Sequence, residues 1–285
     1  MAYSSPFTRP QVHGHRGCRG LRPENTLPAF LHAIELGVDV LELDVVVSHD
    51  LQVVVAHDPW LPAALGTGPA GERIDPQQER AYKLYQMPYA TIRQCELGCW
   101  SDARFPEQVP IPTHRPLLRE VLAAGQQACQ RLGRPPVAYS VEIKCTPAGD
   151  EVYHPEPEQF ARLVLAELYA SGLSDLTTIL SFDQRVLQAV RAVQPAQRLC
   201  LLVENQTLTP EVFSKLGFIP EVLGPNYHLL TAGLVQQLAS MHPNLQMVPW
   251  TVNEFVELQK IASWLPAGIT TDYPNRLITL LAKTT

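Results

Sequence analysis

Acidic side chains alternate with apolar ones in two segments of the sequence, LELDV and VEIK. Successive side chains of a β-strand point to opposite faces, so Glu42 and Asp44 share a face, as do Glu142 and Lys144. Buried carboxylates without partners cost several kcal/mol, so on an inner face they are expected to pair or to bind a cation. Carboxylate oxygens suit Mg²⁺ or Ca²⁺ better than Zn²⁺. Glu42, Asp44 and Glu142 are therefore candidates either to pair with basic side chains or to bind a divalent cation.

Histidines support this interpretation over a plainer one. Glu42 and Asp44 alone would fit an ordinary antiparallel strand that exposes one face to water. Among nine histidines, however, His15 and His57 each end an apolar run, much as Glu142 does. The reference pKa of histidine lies close to working pH, so two histidines beside a cation suit a general acid and base pair. His15 and His57 are the candidates for such a pair.

The elements that must position these residues alternate regularly along the chain. Eight strands are predicted, at 12–15, 38–47, 137–143, 177–182, 198–203, 221–223, 246–251 and 268–271. A further extended piece is predicted at 53–56. Helices are predicted from 26 to 37 and at 117–132, 158–171, 184–193, 210–216, 232–241, 254–264 and 276–282.

Eight β-then-α units in 285 residues predict a single α/β domain, a (β/α)₈ TIM barrel. Residues 59–116 break the alternation and are too long for a plain loop, so they predict a small inserted subdomain after the second strand. A doubly wound open sheet is the alternative, but it would bring a Gly-rich phosphate loop that the segment GHRG does not match. Active sites of TIM barrels lie at the carboxyl ends of the strands, where the acidic residues are predicted.

Composition excludes several classes of protein. Apolar residues make up 46% of the chain and charged residues 18%, a balance that excludes disorder and a coiled coil. A net charge of −6 argues against nucleic acid as the main partner. No apolar stretch approaches the roughly twenty residues of a membrane span, and residues 1–10 lack a signal-peptide core. We therefore expect a cytoplasmic protein without stable membrane insertion. A trimmed signal peptide would leave the same sequence in a periplasmic or secreted protein.

Short motifs follow one another over nearly the whole chain. They are HGHRG, PENT, ELD, HD, FP, IPT, EIK, SFD, WTVN and TDYP. Each is weak alone, but the ordered set resembles the glycerophosphodiester phosphodiesterase family. The resemblance implies a TIM barrel with an insertion after the second strand. It also implies metal-dependent hydrolysis of glycerophosphodiesters to sn-glycerol 3-phosphate and an alcohol, by histidine acid/base catalysis.

The resemblance also implies roles for individual residues. The three carboxylates would hold the cation, and the two histidines would exchange protons with the substrate. Arg16 and Lys144 would contact the phosphate, and Trp250 would line the substrate pocket. Arg16 is suited to gripping phosphate oxygens with a bidentate fork, which a lysine cannot offer.

Alternatives remain at the level of the substrate and the reaction. The insertion begins with the apolar run WLPAAL, where relatives often carry a more polar one, so the leaving group is open. One alternative is a phospholipase D-like enzyme that acts on lysophospholipids or sphingomyelin. Another is a catalytically silent barrel that binds a phosphodiester. Direct attack by water and a cyclic phosphate intermediate are equally compatible with these residues.

Overall fold

Parallel β-strands alternate with helices in this computed structural model, which describes residues 9–204 and 208–283. The strands are β1 Gln11–Gly14, β2 Val40–Val47, β3 Val53–Val55, β4 Ala138–Ile143, β5 Thr177–Ser181, β6 Arg198–Val203, β7 Val222–Pro225, β8 Gln246–Met247 and β9 Gly268–Thr271. The α-helices are α1 Leu27–Leu36, α2 Tyr89–Gln94, α3 Leu118–Arg131, α4 Pro157–Ser171, α5 Gln184–Val193, α6 Ala232–Met241, α7 Phe255–Ala262 and α8 Pro274–Ala282. Within the described ranges, no helix has both the length and the apolar character needed to cross a bilayer.

Eight of these strands form a nearly closed parallel barrel. They are hydrogen-bonded in the order β8-β7-β6-β5-β4-β2-β1-β9, and β3 pairs antiparallel to β2. Between the two ends, the amide of Ala267 donates to the carbonyl of Met247 at 3.0 Å, and that of Thr270 donates to Pro249 at 3.0 Å. The predicted TIM barrel is therefore confirmed.

One predicted helix is wrong. The segment expected to be helical at 210–216 forms a 3₁₀ turn at Pro210–Phe213 instead. Gly217, with φ of 81°, turns the chain immediately afterwards. A segment this short gains too few hydrogen bonds to offset the cost of starting a regular helix.

The central strand β2 is buried on both faces. All eight of its residues are buried, and its apolar side chains Leu41, Leu43 and Val45 belong to the core beneath the helices. Glu42 and Asp44 alternate with them and are only 4% and 1% exposed. The alternative of a strand with one face in water is therefore wrong.

Residues 59–116 follow the β2–β3 hairpin and carry a small apolar cluster of their own. They contain α2 and two 3₁₀ turns, Glu79–Ala81 and Leu84–Gln86. Leu84 and Ile92 are fully buried in a cluster with Val46 of β2 and Val54 of β3, separate from the core beneath the helices. This packing supports the proposal that 59–116 is an inserted subdomain, and it anchors the segment beside the end of the barrel that carries His57.

Candidate active site

Three carboxylates meet at the carboxyl ends of β2 and β4. Parallel pairing sets Asp44 opposite Glu142, and Glu42 lies two residues earlier on the same inner face. One oxygen from each of the three lies within 4.8 Å of the others, and all three residues are buried. Sequence alternation and strand register are sufficient to produce this cluster, because both elements present the same face to the barrel interior.

The cluster carries more negative charge than its own cations balance. Burial, together with the neighbouring carboxylates Asp44 and Glu142, raises the pKa of Glu42 well above its usual range. Burial likewise raises the pKa of Glu142, although Lys144 opposes this by donating from Nζ to Oε1 at 2.7 Å. Burial would also raise the pKa of Asp44, but Arg16, Lys144, His57 and the hydrogen bond from Asn25 together outweigh burial and hold that pKa below its usual range. A bound dication would relieve the repulsion between these groups.

The two predicted histidines both lie near this cluster. His15 follows β1 directly, and its Nδ1 lies 2.7 Å from Oδ1 of Asp272 while its Nε2 lies 3.9 Å from Oε2 of Glu42. Burial lowers the pKa of His15 to about 4, against the opposing effect of Asp272. His57 lies beyond β3 with Nδ1 3.1 Å from Oδ1 of Asp58, and its side chain is more exposed, 29% against 11% for His15.

Arg16 is held in place by the carboxylates around it. Its guanidinium donates to Oε1 of Glu24 at 2.7 Å, and its Nε lies 3.2 Å from Oδ2 of Asp44. Its backbone amide donates to Oε2 of Glu42 at 2.8 Å. The turn that presents Arg16 needs Gly17, which has φ of 86° and lies so close to Ala29 that a Cβ atom would come within 2.8 Å of it.

Lys144 and Trp250 lie near the ends of β4 and β8. Nζ of Lys144 is 3.7 Å from Oδ1 of Asp44 and 5.9 Å from the ring centre of Phe182. Trp250 donates from Nε1 to the carbonyl of Gly224 at 2.7 Å, and its ring meets Phe182 edge-on at 5.6 Å.

All but one of the predicted site residues line one cavity of about 690 Å³. The residues in question are His15, Arg16, Glu42, His57, Glu142, Lys144 and Trp250. Asp44, the exception, is 1% exposed and lies behind them, where it contacts Arg16 and Lys144. The structure thus brings the whole predicted set to one end of the barrel.

Two residues that support this set, Asp272 and Asn25, were given no role from the sequence, although they lie in the motifs TDYP and PENT. Asp272 follows β9 and accepts hydrogen bonds from Arg19, at 2.9 Å from Nε, and from Nδ2 of Asn253, at 2.7 Å, besides holding His15. Asn25 donates from Nδ2 to Oδ2 of Asp44 at 2.9 Å. The position of Asp272 could have identified it from the sequence, because it is an acidic residue directly after the last strand of the barrel. Lys144 is likewise a basic residue directly after β4.

Comparison with known proteins identifies the family. A model of the glycerophosphoryl diester phosphodiesterase family matches residues 15–276. The chain belongs to this family. A glycerophosphodiester phosphodiesterase of Bacillus altitudinis is 25% identical, with 94% of this chain and 96% of that protein covered. One of Bacillus subtilis (strain 168) is 24% identical, covering 92% and 83%. The predicted family and the prediction of an enzyme within it are thereby confirmed.

Solved structures extend the comparison to the fold. A structure from Silicibacter pomeroyi DSS-3 is 28% identical, with a TM-score of 0.84 and coverage of 99% of this chain and 96% of that chain. A phosphodiesterase of Oleispira antarctica, solved in complex with the product sn-glycerol-3-phosphate, is 21% identical, with a TM-score of 0.75 and coverage of 96% and 97%. A lysophospholipase D of Rattus norvegicus is 50% identical over 116 residues, which are 39% of this chain and 31% of that protein.

Proposed function

We propose that this phosphodiesterase hydrolyses glycerophosphodiesters to sn-glycerol 3-phosphate and an alcohol, using one divalent cation and the pair His15 and His57. The observation that carries the proposal is the position of both histidines beside three clustered, buried carboxylates at the end of a barrel cavity. Membership of the family supports the reaction, and the sn-glycerol-3-phosphate complex of the Oleispira antarctica enzyme supports the product.

Glu42, Asp44 and Glu142 are the ligands that fit a divalent cation. They offer three hard oxygen donors within 4.8 Å of one another, which suits Mg²⁺ or Ca²⁺. A bound cation would polarise the phosphoryl group and would favour ionisation of the attacking hydroxyl. The neighbouring cations Arg16 and Lys144 offset the remaining negative charge so that an anionic substrate is accepted.

A second cluster of ligand-type residues does not fit a metal. Cys145, Asp150 and His154 also lie close together. However, Nε2 of His154 accepts from the amide of Thr146 at 3.1 Å, and Nδ1 lies 2.9 Å from the carbonyl oxygen of Pro155. Both ring nitrogens therefore have partners within the protein, and the cluster holds a loop together.

The hydrogen bond to Asp272 assigns the protons of His15. It favours the tautomer with the proton on Nδ1, so Nε2, on the side of Glu42, keeps a lone pair. With its pKa lowered to about 4 by burial, His15 is neutral near pH 7 and ready to accept a proton from the nucleophile. His57, the more exposed partner, then donates a proton to the leaving alkoxide.

Release of glycerol 3-phosphate from glycerophosphocholine and glycerophosphoethanolamine tests this function. Each substrate is assayed with Mg²⁺, with Ca²⁺ and with EDTA. We expect turnover with at least one cation and its loss in EDTA. Turnover that EDTA leaves unchanged would contradict the role of the carboxylates. No turnover with either substrate and either cation would contradict the substrate class.

Lysophospholipids are the second candidate substrate. The observation in their favour is the 50% identity with the rat lysophospholipase D over 116 residues. Choline release from lysophosphatidylcholine, compared with release from glycerophosphocholine under the same conditions, separates the two candidates.

A further inference from the structure

The interior of the barrel is not filled by side chains. The cavity beneath the carboxylates is lined on β6 by Leu202, Cys200 and Arg198, which are the inward residues from the carboxyl end of that strand to its amino end. TIM barrels normally fill this space with layers of large branched side chains. Here small residues take several inward positions, among them Ser140 and Gly224. The cavity therefore continues from the reaction site down the barrel axis.

The two sides of this cavity differ in chemistry. The side formed by β1, β2 and β4 is polar and includes the acidic cluster. The opposite side, which we call the apolar wall, is an apolar cluster distinct from the core beneath the helices. It consists of Leu180, Cys200, Leu202, Val222, Val248 and Trp250. Four of its members are buried, Val248 and Trp250 are half-buried, and all six line the cavity, so a ligand in the cavity would contact them directly.

Polar side chains line the amino end of the barrel beneath the apolar wall. Arg198 donates to Oε1 of Gln246 at 2.7 Å, and both residues line the cavity together with Thr178. From Thr178 in β5 at the lower end to Phe182, just beyond β5, at the upper end, the chain advances by four residue steps, or about 13 Å of extended chain. The wall is thus an elongated apolar surface, with the acidic cluster and its cations above it and Arg198, Gln246 and Thr178 below it.

We propose that the apolar wall holds a hydrocarbon chain carried by the substrate, threaded from the carboxylate cluster toward Arg198 and Gln246. The inference rests on the proposed function and names its substrate class, glycerophosphodiesters that carry one acyl or alkyl chain on the glycerol. Their hydrolysis by water gives the chain-bearing glycerol 3-phosphate and the head-group alcohol. The wall begins at Trp250, beside the phosphate-binding cations, so a chain that enters it stays covalently linked to the reacting group. The cavity volume of about 690 Å³ lies within the range of ligand pockets, so the cavity has room for both the phosphodiester group and the chain.

Chain length provides the test. Choline release is measured from glycerophosphocholine and from its 1-butanoyl, 1-hexanoyl and 1-octanoyl derivatives, below their micelle concentrations. Each buried methylene is expected to raise kcat/KM by about threefold to fourfold. The rise should stop once the chain reaches Arg198 and Gln246. A kcat/KM that does not change with chain length would overturn the proposal.

Two filling variants locate the chain. Val222→Phe and Val248→Phe each place a ring in the lower part of the wall, away from the carboxylates. Both should remove the gain from the longer chains and leave hydrolysis of glycerophosphocholine within about twofold of wild type, which also reports that the variants fold. A chain-length gain that survives both substitutions would show that the chain binds elsewhere.

A binding measurement separates failure of this inference from failure of the proposed function. If the wild-type enzyme hydrolyses none of these substrates, the proposed function fails, and calorimetry with alkylphosphocholines of increasing length still tests the wall. Affinity that rises with length in wild type and not in Val222→Phe supports the chain site. Equal affinities in the two proteins overturn it.

Discussion

Asp272 organises the histidine side of the site. His15, Arg19 and Asn253 surround its carboxylate, which is 1% exposed. Burial alone would raise the pKa of this carboxyl group, but His15 and Arg19 hold it well below its usual range. Asp272 is therefore an anion that fixes the orientation and tautomer of His15, and it acts on the reaction through that ring.

Asp272→Asn tests this positioning role. The amide preserves the shape but no longer favours the proton on Nδ1 of His15, so we expect kcat to fall by about 10²- to 10⁴-fold with little change in KM. Steady-state kinetics and the ¹⁵N chemical shifts of the His15 ring measure the two effects. Glu221→Gln, which breaks the remote ion pair with Arg191, is the matched control and should change kcat less than twofold. An unchanged His15 tautomer in Asp272→Asn would contradict the assignment.

Glu42→Gln tests the electrostatic origin of the cation site. Burial and two neighbouring carboxylates raise the pKa of Glu42 well above its usual range, so replacing this carboxyl group by an amide should stabilise the metal-free protein. With saturating Mg²⁺ the wild type should be the more stable of the two proteins, because binding of the cation stabilises it. Urea unfolding of both proteins, in EDTA and in Mg²⁺, measures the difference in their free energies of unfolding under each condition. A variant less stable than wild type in EDTA would contradict the repulsion that we infer.

At the scale of elements, the strands were predictable because each carries a simple pattern. The alternation in β2 predicts that Glu42 and Asp44 share a face, and the parallel register with β4 then brings Glu142 to them. The 3₁₀ turn at Pro210–Phe213 was not predictable from apolar spacing, since that spacing does not distinguish a single 3₁₀ turn from a short α-helix. The contact between His15 and Asp272 was also out of reach, because it joins residues 257 positions apart through closure of the barrel.

The packing of residues 59–116 on the β2–β3 hairpin depends on α2. Ile92 of α2 is fully buried in the apolar cluster with Val46 and Val54. Ile92→Ala should reduce the free energy of unfolding by about 2 to 5 kcal/mol, because it leaves a cavity there. Ile219→Ala, at a position 51% exposed, is the control and should change it by less than about 0.5 kcal/mol. Chemical denaturation measures the free energy of unfolding of both variants. Equal losses in the two variants would contradict the burial of Ile92 in this cluster.

At the scale of the whole molecule, the barrel keeps histidines neutral in its interior. His13 lines the cavity and is 6% exposed, and burial lowers its pKa to about 4, against a weaker opposing effect of Asp39. The unfolded chain binds the proton near pH 6.5, before the folded chain does. The contribution of neutral His13 to stability is therefore present above about pH 6.5 and is lost as the pH falls toward 4.

His13→Gln should make stability less sensitive to acid. Between pH 7 and pH 4, wild type should lose about 3 kcal/mol more of its free energy of unfolding than the variant does. Urea unfolding of both proteins across this pH range measures the difference. Parallel pH profiles would show that His13 titrates normally in the folded protein.

The central claim is that His15 and His57 carry out the proton transfers of phosphodiester hydrolysis beside a carboxylate-bound cation. The most direct measurement is kcat for glycerol 3-phosphate release from glycerophosphocholine by His15→Ala and His57→Ala, with Mg²⁺ and Ca²⁺ affinity measured by calorimetry on the same samples. We predict that each variant loses at least about 10²-fold in kcat while it binds the cation nearly as wild type does. Full activity in either variant would contradict the account.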